Sequence, residues 1–217
     1  NFFIDKKIIN SELGNYRDLT NGRSVTDPLY NIPEIVDLAT SETIIEYAQN
    51  YLGSKLVKIG FIKLRRFFAN DNREFDTNYF HYDDNSKKLF KSIIHLSDIE
   101  SEEDGPFVYV KGSHQKKINA SNKNTINKYI RTDDEIQQFY GQENIVNCLG
   151  KKGSVVLADT LGYHKGTKNT SRDRYILYIN YVLEEEYSGK GLRQKISSEV
   201  LSKSKKYESL FEYFNTV

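Results

Sequence analysis

The sequence predicts a mainly β fold, a double-stranded β-helix (jelly roll, cupin-like) with flanking α-helices. Three observations carry this expectation. Short apolar runs of strand length recur between turn formers, at 89–96, 106–110, 154–158 and 174–183. Helical spacing is confined to three places, near 31–53, 132–140 and 197–214. With 217 residues the chain can fill one core, and β barrels and sandwiches of this length commonly form one domain. A single domain over 1–217 is therefore expected, with a helical arm at about 31–53, a barrel at about 55–183 and a C-terminal helix at about 197–214.

Residues 1–30 offer only apolar islands, Phe2-Phe3-Ile4 and Ile8-Ile9, among charges and turn formers such as Asn21-Gly22, and predict no definite element. Pro33 suits a first helical turn. After Thr40-Ser41, the residues Ile44, Ile45, Ala48, Tyr51 and Leu52 recur at helical spacing until Gly53 stops the arm. The period then changes. Val57, Ile59 and Phe61 alternate with Lys58 and Gly60 in a long strand reaching Phe68, with Gly60 marking a bulge or close backbone approach and Asn70-Asp71-Asn72 ending it. The strand at 106–110 follows the turn Asp104-Gly105-Pro106, and that at 154–158 follows Gly150-Lys151-Lys152-Gly153. In 174–183 both alternating sets are apolar, Tyr175, Leu177, Ile179 and Tyr181 against Ile176, Tyr178 and Val182, so both faces should be covered. The helix near 132 opens with the capping box Thr132-x-x-Glu135, and the last one gathers Val200, Leu201, Tyr207, Leu210, Phe211 and Phe214 on one side.

Lys and Arg number 31 and Asp and Glu 30, and the resulting net charge of +1 argues against a nucleic-acid or acidic-membrane partner. A small-molecule substrate is expected instead. No apolar run approaches the ~20 residues of a membrane span, and one cysteine, Cys148, cannot form an internal disulfide. A reducing, cytoplasmic setting fits these facts, while nothing fixes an oligomeric state. The chain opens at Asn1 and has no Met, as a trimmed fragment would.

The sequence holds a single His-x-Asp, at His81-Tyr82-Asp83. Residues two apart in extended backbone point to one side, so His81 and Asp83 can reach one ion while Tyr82 points away. A further histidine, His164, follows Asp159-Thr160-Leu161-Gly162, a strand exit able to deliver it to the same place, and Arg174 heads the next strand. Two histidines and a carboxylate can occupy one face of an octahedral Fe(II), leaving positions open for a chelating co-substrate and dioxygen. The same residues are also what polar loops present, and His95 and His114 compete as ligands. Arg174 suits two readings, a bidentate carboxylate clamp or a surface ion pair with Asp173 or a nearby acid.

The ordered run His81-Tyr82-Asp83, Leu89 to Asp98, Asp104-Gly105-Pro106-Phe107-Val108-Tyr109-Val110-Lys111-Gly112-Ser113-His114, then Gly153 to Asp159, His164, Gly166, Asn169 and Arg174 resembles the phytanoyl-CoA dioxygenase family. These are iron- and 2-oxoglutarate-dependent oxygenases, and the likeness covers roughly 55–183. It implies that His81, Asp83 and His164 ligate Fe(II). It also implies that Arg174 binds the distal carboxylate of 2-oxoglutarate and that Thr167 helps hold it. Lys165, between His164 and Gly166-Thr167, departs from the family pattern. The implied reaction hydroxylates an unactivated C–H bond with release of succinate and CO2, supported by ascorbate. Asp83 favours this outcome, because relatives that halogenate carry a small residue there.

Two alternatives stay open, a non-catalytic jelly-roll ligand-binding protein and a cupin-type metalloenzyme using His95 or His114 without 2-oxoglutarate. Phe67, Phe68, Phe75, Tyr79, Phe80 and Tyr82 read as core or as pocket lining. Lys63, Arg65, Arg66 and Arg73 read as a solvated strand face or as contacts to an anionic substrate.

Overall fold

The computed structural model describes residues 16–19, 22–71, 76–84, 86–118, 129–183 and 193–217. The first elements are β1 (Tyr16–Leu19), β2 (Gly22–Val25), α1 (Pro28–Asn31), α2 (Ile35–Ala39), α3 (Glu42–Leu52) and β3 (Val57–Phe67). Next come β4 (Phe90–His95), β5 (Phe107–Val110), α4 (Asp133–Tyr140), β6 (Ile145–Cys148), β7 (Val155–Ala158), β8 (His164–Gly166) and β9 (Arg174–Leu183). The chain closes with β10 (Lys195–Ile196), α5 (Ser198–Lys203) and β11 (Asn215–Thr216). Six strands form one antiparallel sheet in the order β1-β2-β3-β9-β4-β7, and three form a second in the order β6-β5-β8. The two sheets meet across Phe67, Ile93, Ala158 and Ile176 of the first and Phe107 of the second, the jelly-roll arrangement expected.

The larger sheet buries its outer face under the helices. Ile62, Leu64, Leu177, Ile179 and Tyr181 pack with Ile35, Ile45, Ala48 and Leu52 on one side and with Val200, Leu210 and Phe211 on the other. Each such buried aliphatic side chain stabilises the fold by about 1.5–3 kcal/mol. Both faces of β9 are thus covered, as its sequence requires. The pairing of β3 with β9 shifts register between Ile59 and Phe61, the bulge anticipated at Gly60, and its consequence reaches the site. Ile59 lies in the helix-covered core, but beyond the bulge it is Ile62 and Leu64 that do so. A bulge adds one residue and reverses which alternate set faces which side. Phe61, Lys63, Arg65 and Phe67 are thereby turned toward the space between the sheets.

Some elements differ from expectation. The helical arm is three short helices, and Pro28, rather than Pro33, opens the first. The C-terminal helix stops at Lys203 and continues as a 3-10 turn over Lys205–Phe211. There the Ser204 amide is shared between the Val200 and Leu201 carbonyls, i−4 and i−3, while its hydroxyl also donates to Val200 O.

The turn entering β5 braces the loop that leads from β8 to β9. Asp104 is buried and accepts from the amides of Glu100 and Ser101, from Ser171 and from Arg172 at 2.8 and 3.0 Å. Gly105 follows at φ +73°, and a Cβ there would lie 2.9 Å from Thr167 O and from Asn169 Cβ, so glycine alone permits this approach. The Arg172 guanidinium, with help from Ser171 and the two amides, outweighs burial and holds the Asp104 carboxyl well below the usual carboxylate range. A folded pKa below the unfolded one stabilises the protein fully above about pH 4, and this contribution is lost as pH falls through the folded value. Asp104→Asn is expected to cost about 2 kcal/mol at pH 7, seen as a lower denaturant midpoint, with the gap to wild type narrowing in acid.

Candidate active site

One short antiparallel bridge builds the site. His81 and His164 face each other and exchange both backbone hydrogen bonds, His81 N to His164 O at 2.9 Å and His164 N to His81 O at 2.8 Å. Asp83, two residues on, donates its amide to Thr160 O at 2.9 Å. The ligand atoms of His81, Asp83 and His164 all lie within 4.8 Å of one another. Among the described residues neither His95 nor His114 joins them. His95 is wholly buried on β4, and His114 stands in the turn after β5.

Both rings are held alike. His81 Nδ1 lies 3.0 Å from Tyr79 O and His164 Nδ1 lies 2.9 Å from Gly162 O. A carbonyl only accepts, so Nδ1 carries the hydrogen and Nε2 keeps the lone pair that binds metal. The Gly162 carbonyl is placed by a close approach, since a Cβ on Gly162 would stand 2.2 Å from the Tyr109 hydroxyl oxygen. Burial lowers both imidazole pKa values, and His81 beside His164 helps push the latter down to about 3. Both rings are therefore neutral near pH 7. Burial raises the Asp83 pKa, but the Lys91 ammonium, 2.6 Å from Asp83 Oδ2, together with His164 and Thr160, outweighs it and keeps the carboxylate ionised.

The triad opens on a cavity of about 180 Å³ between the sheets. Arg174, at the head of β9, lines it and is 4 % exposed. Its neighbour Asp173 does not pair with it. Asp173 accepts instead from Arg66 Nε at 2.7 Å and from the Ala69 amide at 2.8 Å, so the surface ion-pair reading of Arg174 fails. Arg174 has no acidic partner among the described residues. Its Nε is buried without an acceptor, and its guanidinium lies 4.3 Å from the centre of the Phe67 ring. Burial lowers its pKa, but a guanidinium stays charged in a protein. A buried cation that lines a cavity and pairs with no acid among the described residues is suited to receive an anionic ligand.

Thr167 also lines the cavity, but its hydroxyl donates to Pro106 O at 2.9 Å, so its one hydrogen is not offered to a carboxylate in this geometry. Lys165 turns away, pairing with Asp133 at 2.6 Å over the Phe80 ring, while His164 and Gly166 on either side of it line the cavity. The extra lysine therefore leaves the site intact. Of the aromatic group, Phe67 and Phe68 line the cavity, Phe80 and Tyr82 belong to the core beneath α4, Tyr79 is exposed, and Phe75 falls outside the described residues. Lys63 and Arg65 line the cavity as well, whereas Arg73 lies outside the described residues. The sequence left the inward position of Lys63 and Arg65 undecided; the bulge at Gly60 is the signal that decides it.

These donors fit a divalent metal, since two neutral imidazoles and a carboxylate are the set that leaves coordination positions open. Arg174 supplies the counter-charge a chelated dicarboxylate would need.

The fold agrees with solved enzyme structures. EctD from S. alaskensis with bound Fe superposes with a TM-score of 0.61 at 20 % identity, covering 86 % of this chain and 66 % of that one. HygX from Streptomyces hygroscopicus with nickel and 2-oxoglutarate bound gives 0.59 at 15 % identity, over 89 % and 84 %. The non-heme alpha ketoglutarate dependent carbocyclase SnoK from nogalamycin biosynthesis gives 0.58 at 17 %, over 81 % and 70 %. Comparison with curated protein sequences yields no match. The family model for phytanoyl-CoA dioxygenase matches residues 23–175, taking in the two histidines, Asp83 and Arg174, and the chain belongs to that family of iron- and 2-oxoglutarate-dependent oxygenases.

Proposed function

We propose that the protein hydroxylates an unactivated C–H bond of a small molecule, with His81, Asp83 and His164 holding Fe(II) and Arg174 binding the distal carboxylate of 2-oxoglutarate. The observation that carries this reading is Arg174, a buried cation that lines the cavity the triad opens on and has no acidic partner among the described residues. Iron with 2-oxoglutarate and dioxygen supplies an oxidant for such a bond, one oxygen atom entering the product while 2-oxoglutarate becomes succinate and CO2. The protein's part is placement. Backbone carbonyls of Tyr79 and Gly162 orient the imidazoles, Lys91 holds Asp83 ionised and in position, and Arg174 orients the co-substrate by its far end. Phe67, Phe107 and Ile93 wall the cavity against water. Asp83 provides a carboxylate where halogenating relatives have a small residue, which favours hydroxylation.

The alternatives lack support of this kind. A cupin metalloenzyme using His95 or His114 needs one of them beside the triad, and a plain binding module leaves Arg174 without a task. Purified protein with Fe(II), ascorbate, oxygen and 2-oxoglutarate is expected to release succinate slowly without substrate, and a mass-spectrometric substrate screen to find a gain of one oxygen atom. A product of unchanged mass, or one that has lost two hydrogens, would replace hydroxylation by epimerisation or ring closure. Absence of 2-oxoglutarate turnover by the iron-loaded protein would overturn the oxygenase reading for this chain.

A further inference from the structure

We infer that Lys63 and Arg65 form a subsite for an oxyanion, a carboxylate or phosphate, carried by a partly apolar substrate. This rests on the oxygenase reading above and specifies what the same cavity accepts. The starting point is the bulge at Gly60, beyond which the odd-numbered residues of β3, Phe61 to Phe67, turn inward. Inward positions of a jelly roll are normally filled by apolar side chains. Here two successive ones are cations, two residues apart on the same face and so about 6–7 Å apart along the strand.

Neither cation is neutralised by the protein. Among the described residues neither Lys63 nor Arg65 makes an ion pair, and Arg65 Nε is buried with no acceptor. The nearby carboxylate of Asp83 is already bound by Lys91 at 2.6 Å. Lys63 is exposed and lines the cavity. Burial there, with Arg65 and Lys91 close by, lowers its pKa to about 8. The Lys63 ammonium stands 4.4 Å from the centre of the Phe61 ring, which steadies it in place.

The co-substrate does not use these charges. In the proposed complex one carboxylate of 2-oxoglutarate goes to the metal and the other to Arg174, so two cations remain uncompensated beside the reacting position. Like charges held together in a partly desolvated cleft repel each other and raise the local concentration of anions. Arg65 offers a planar fork for two oxygens, and Lys63 a point charge beside it. The cavity wall is mixed, with Phe61, Phe68, Ile93 and Tyr178 offering apolar surface and Asp71, Thr77, Asn78 and Asn169 polar groups. A partly apolar body with an anionic end fits this lining.

The test uses protein loaded with Ni(II), a redox-inert stand-in for iron, and saturated with 2-oxoglutarate so that Arg174 is occupied. Benzoate, phenyl phosphate and the neutral isostere benzamide are titrated by calorimetry into wild type and the Lys63→Gln/Arg65→Gln double variant. Wild type should bind at least one anion, and the double variant should bind it about ten-fold or more weakly, the loss expected when a charged partner is removed. Which anion binds more tightly identifies the group. Benzamide should bind weakly to both proteins. The double variant should melt no lower than wild type, because a repulsive pair has been removed. Equal anion affinity in the two proteins, benzamide binding as tightly as benzoate, or no binding of either anion by wild type at millimolar concentration would each overturn the inference. So would a ten-fold loss of 2-oxoglutarate affinity in the double variant, which would assign the two cations to the co-substrate. Failure of 2-oxoglutarate to bind the nickel-loaded wild type is a separate result and counts against the oxygenase reading. The anion titrations would then be repeated on an Arg174→Gln background, where they test the subsite by itself.

Discussion

Turnover of 2-oxoglutarate is expected to fall below detection when His81, Asp83 or His164 is replaced by Ala, and Fe(II) binding to weaken with it. The triad supplies the protein ligands of the proposed site, and two remaining donors do not retain a divalent ion against water and buffer. The fold should survive. The bridge between His81 and His164 is made by backbone groups, which alanine preserves, and the apolar core between the larger sheet and the helices lies elsewhere. His81→Ala is the cleanest test, because the His81 ring is only half-buried, whereas His164 is 5 % exposed and its removal leaves a cavity. Asp83→Ala carries an extra cost. It strands the Lys91 ammonium, at about 1.5–3 kcal/mol for a lost hydrogen bond to a charged group, so its melting temperature should fall further than that of His81→Ala. Metal stoichiometry by calorimetry and succinate release, measured on the same preparations, check the prediction. Wild-type stoichiometry in all three variants would move the metal elsewhere.

Much of this site was legible before any coordinates, and the reasons are local. His-x-Asp depends only on the two-residue period of extended chain, and the turn Asp104-Gly105-Pro106 only on glycine's access to positive φ and close approach. Long strands such as β3 and β9 declare themselves by alternation. The remainder depended on pairing that no short window shows. His164-Lys165-Gly166 has no apolar alternation and is a strand because β5 pairs with it. β6 is likewise a short edge strand defined by β5. The hairpin of β1 and β2 extends the larger sheet through β3, from a stretch whose charges and turn residues suggested no strand. The bulge at Gly60 could be suspected from its glycine, but its effect on Lys63 and Arg65 follows only when the phase of Ile62 and Leu64 against the helices is known. Asp173 was the obvious partner for Arg174 by adjacency. Asp173, however, stands just before β9 and accepts from Arg66 and from the Ala69 amide at the end of β3 instead.

Arg174→Ala is expected to weaken 2-oxoglutarate binding about thirty-fold or more, since removing one partner of a desolvated, hydrogen-bonded charge pair costs about 2–5 kcal/mol. Iron should still bind, because no triad residue is touched. Lysine at 174 should recover only part of the affinity, as a point charge cannot make the two parallel hydrogen bonds of a guanidinium. Anaerobic titration of the Fe(II) proteins, followed by the metal-to-ligand absorption band, gives the three affinities. Stability provides the second readout. Without co-substrate, Arg174 is a buried charge with no anionic partner among the described residues, an arrangement that disfavours the folded state. Removing it should therefore leave the metal-free protein as stable as wild type or more so, even though the stacking on Phe67 is lost. Adding metal and 2-oxoglutarate should raise the melting temperature of wild type by mass action and barely move that of Arg174→Ala. A residue held only for structure would behave in the opposite way, costing stability in the empty protein and leaving the titration unchanged. That pattern would return Arg174 to the core and shift the search for the clamp to Lys63 and Arg65.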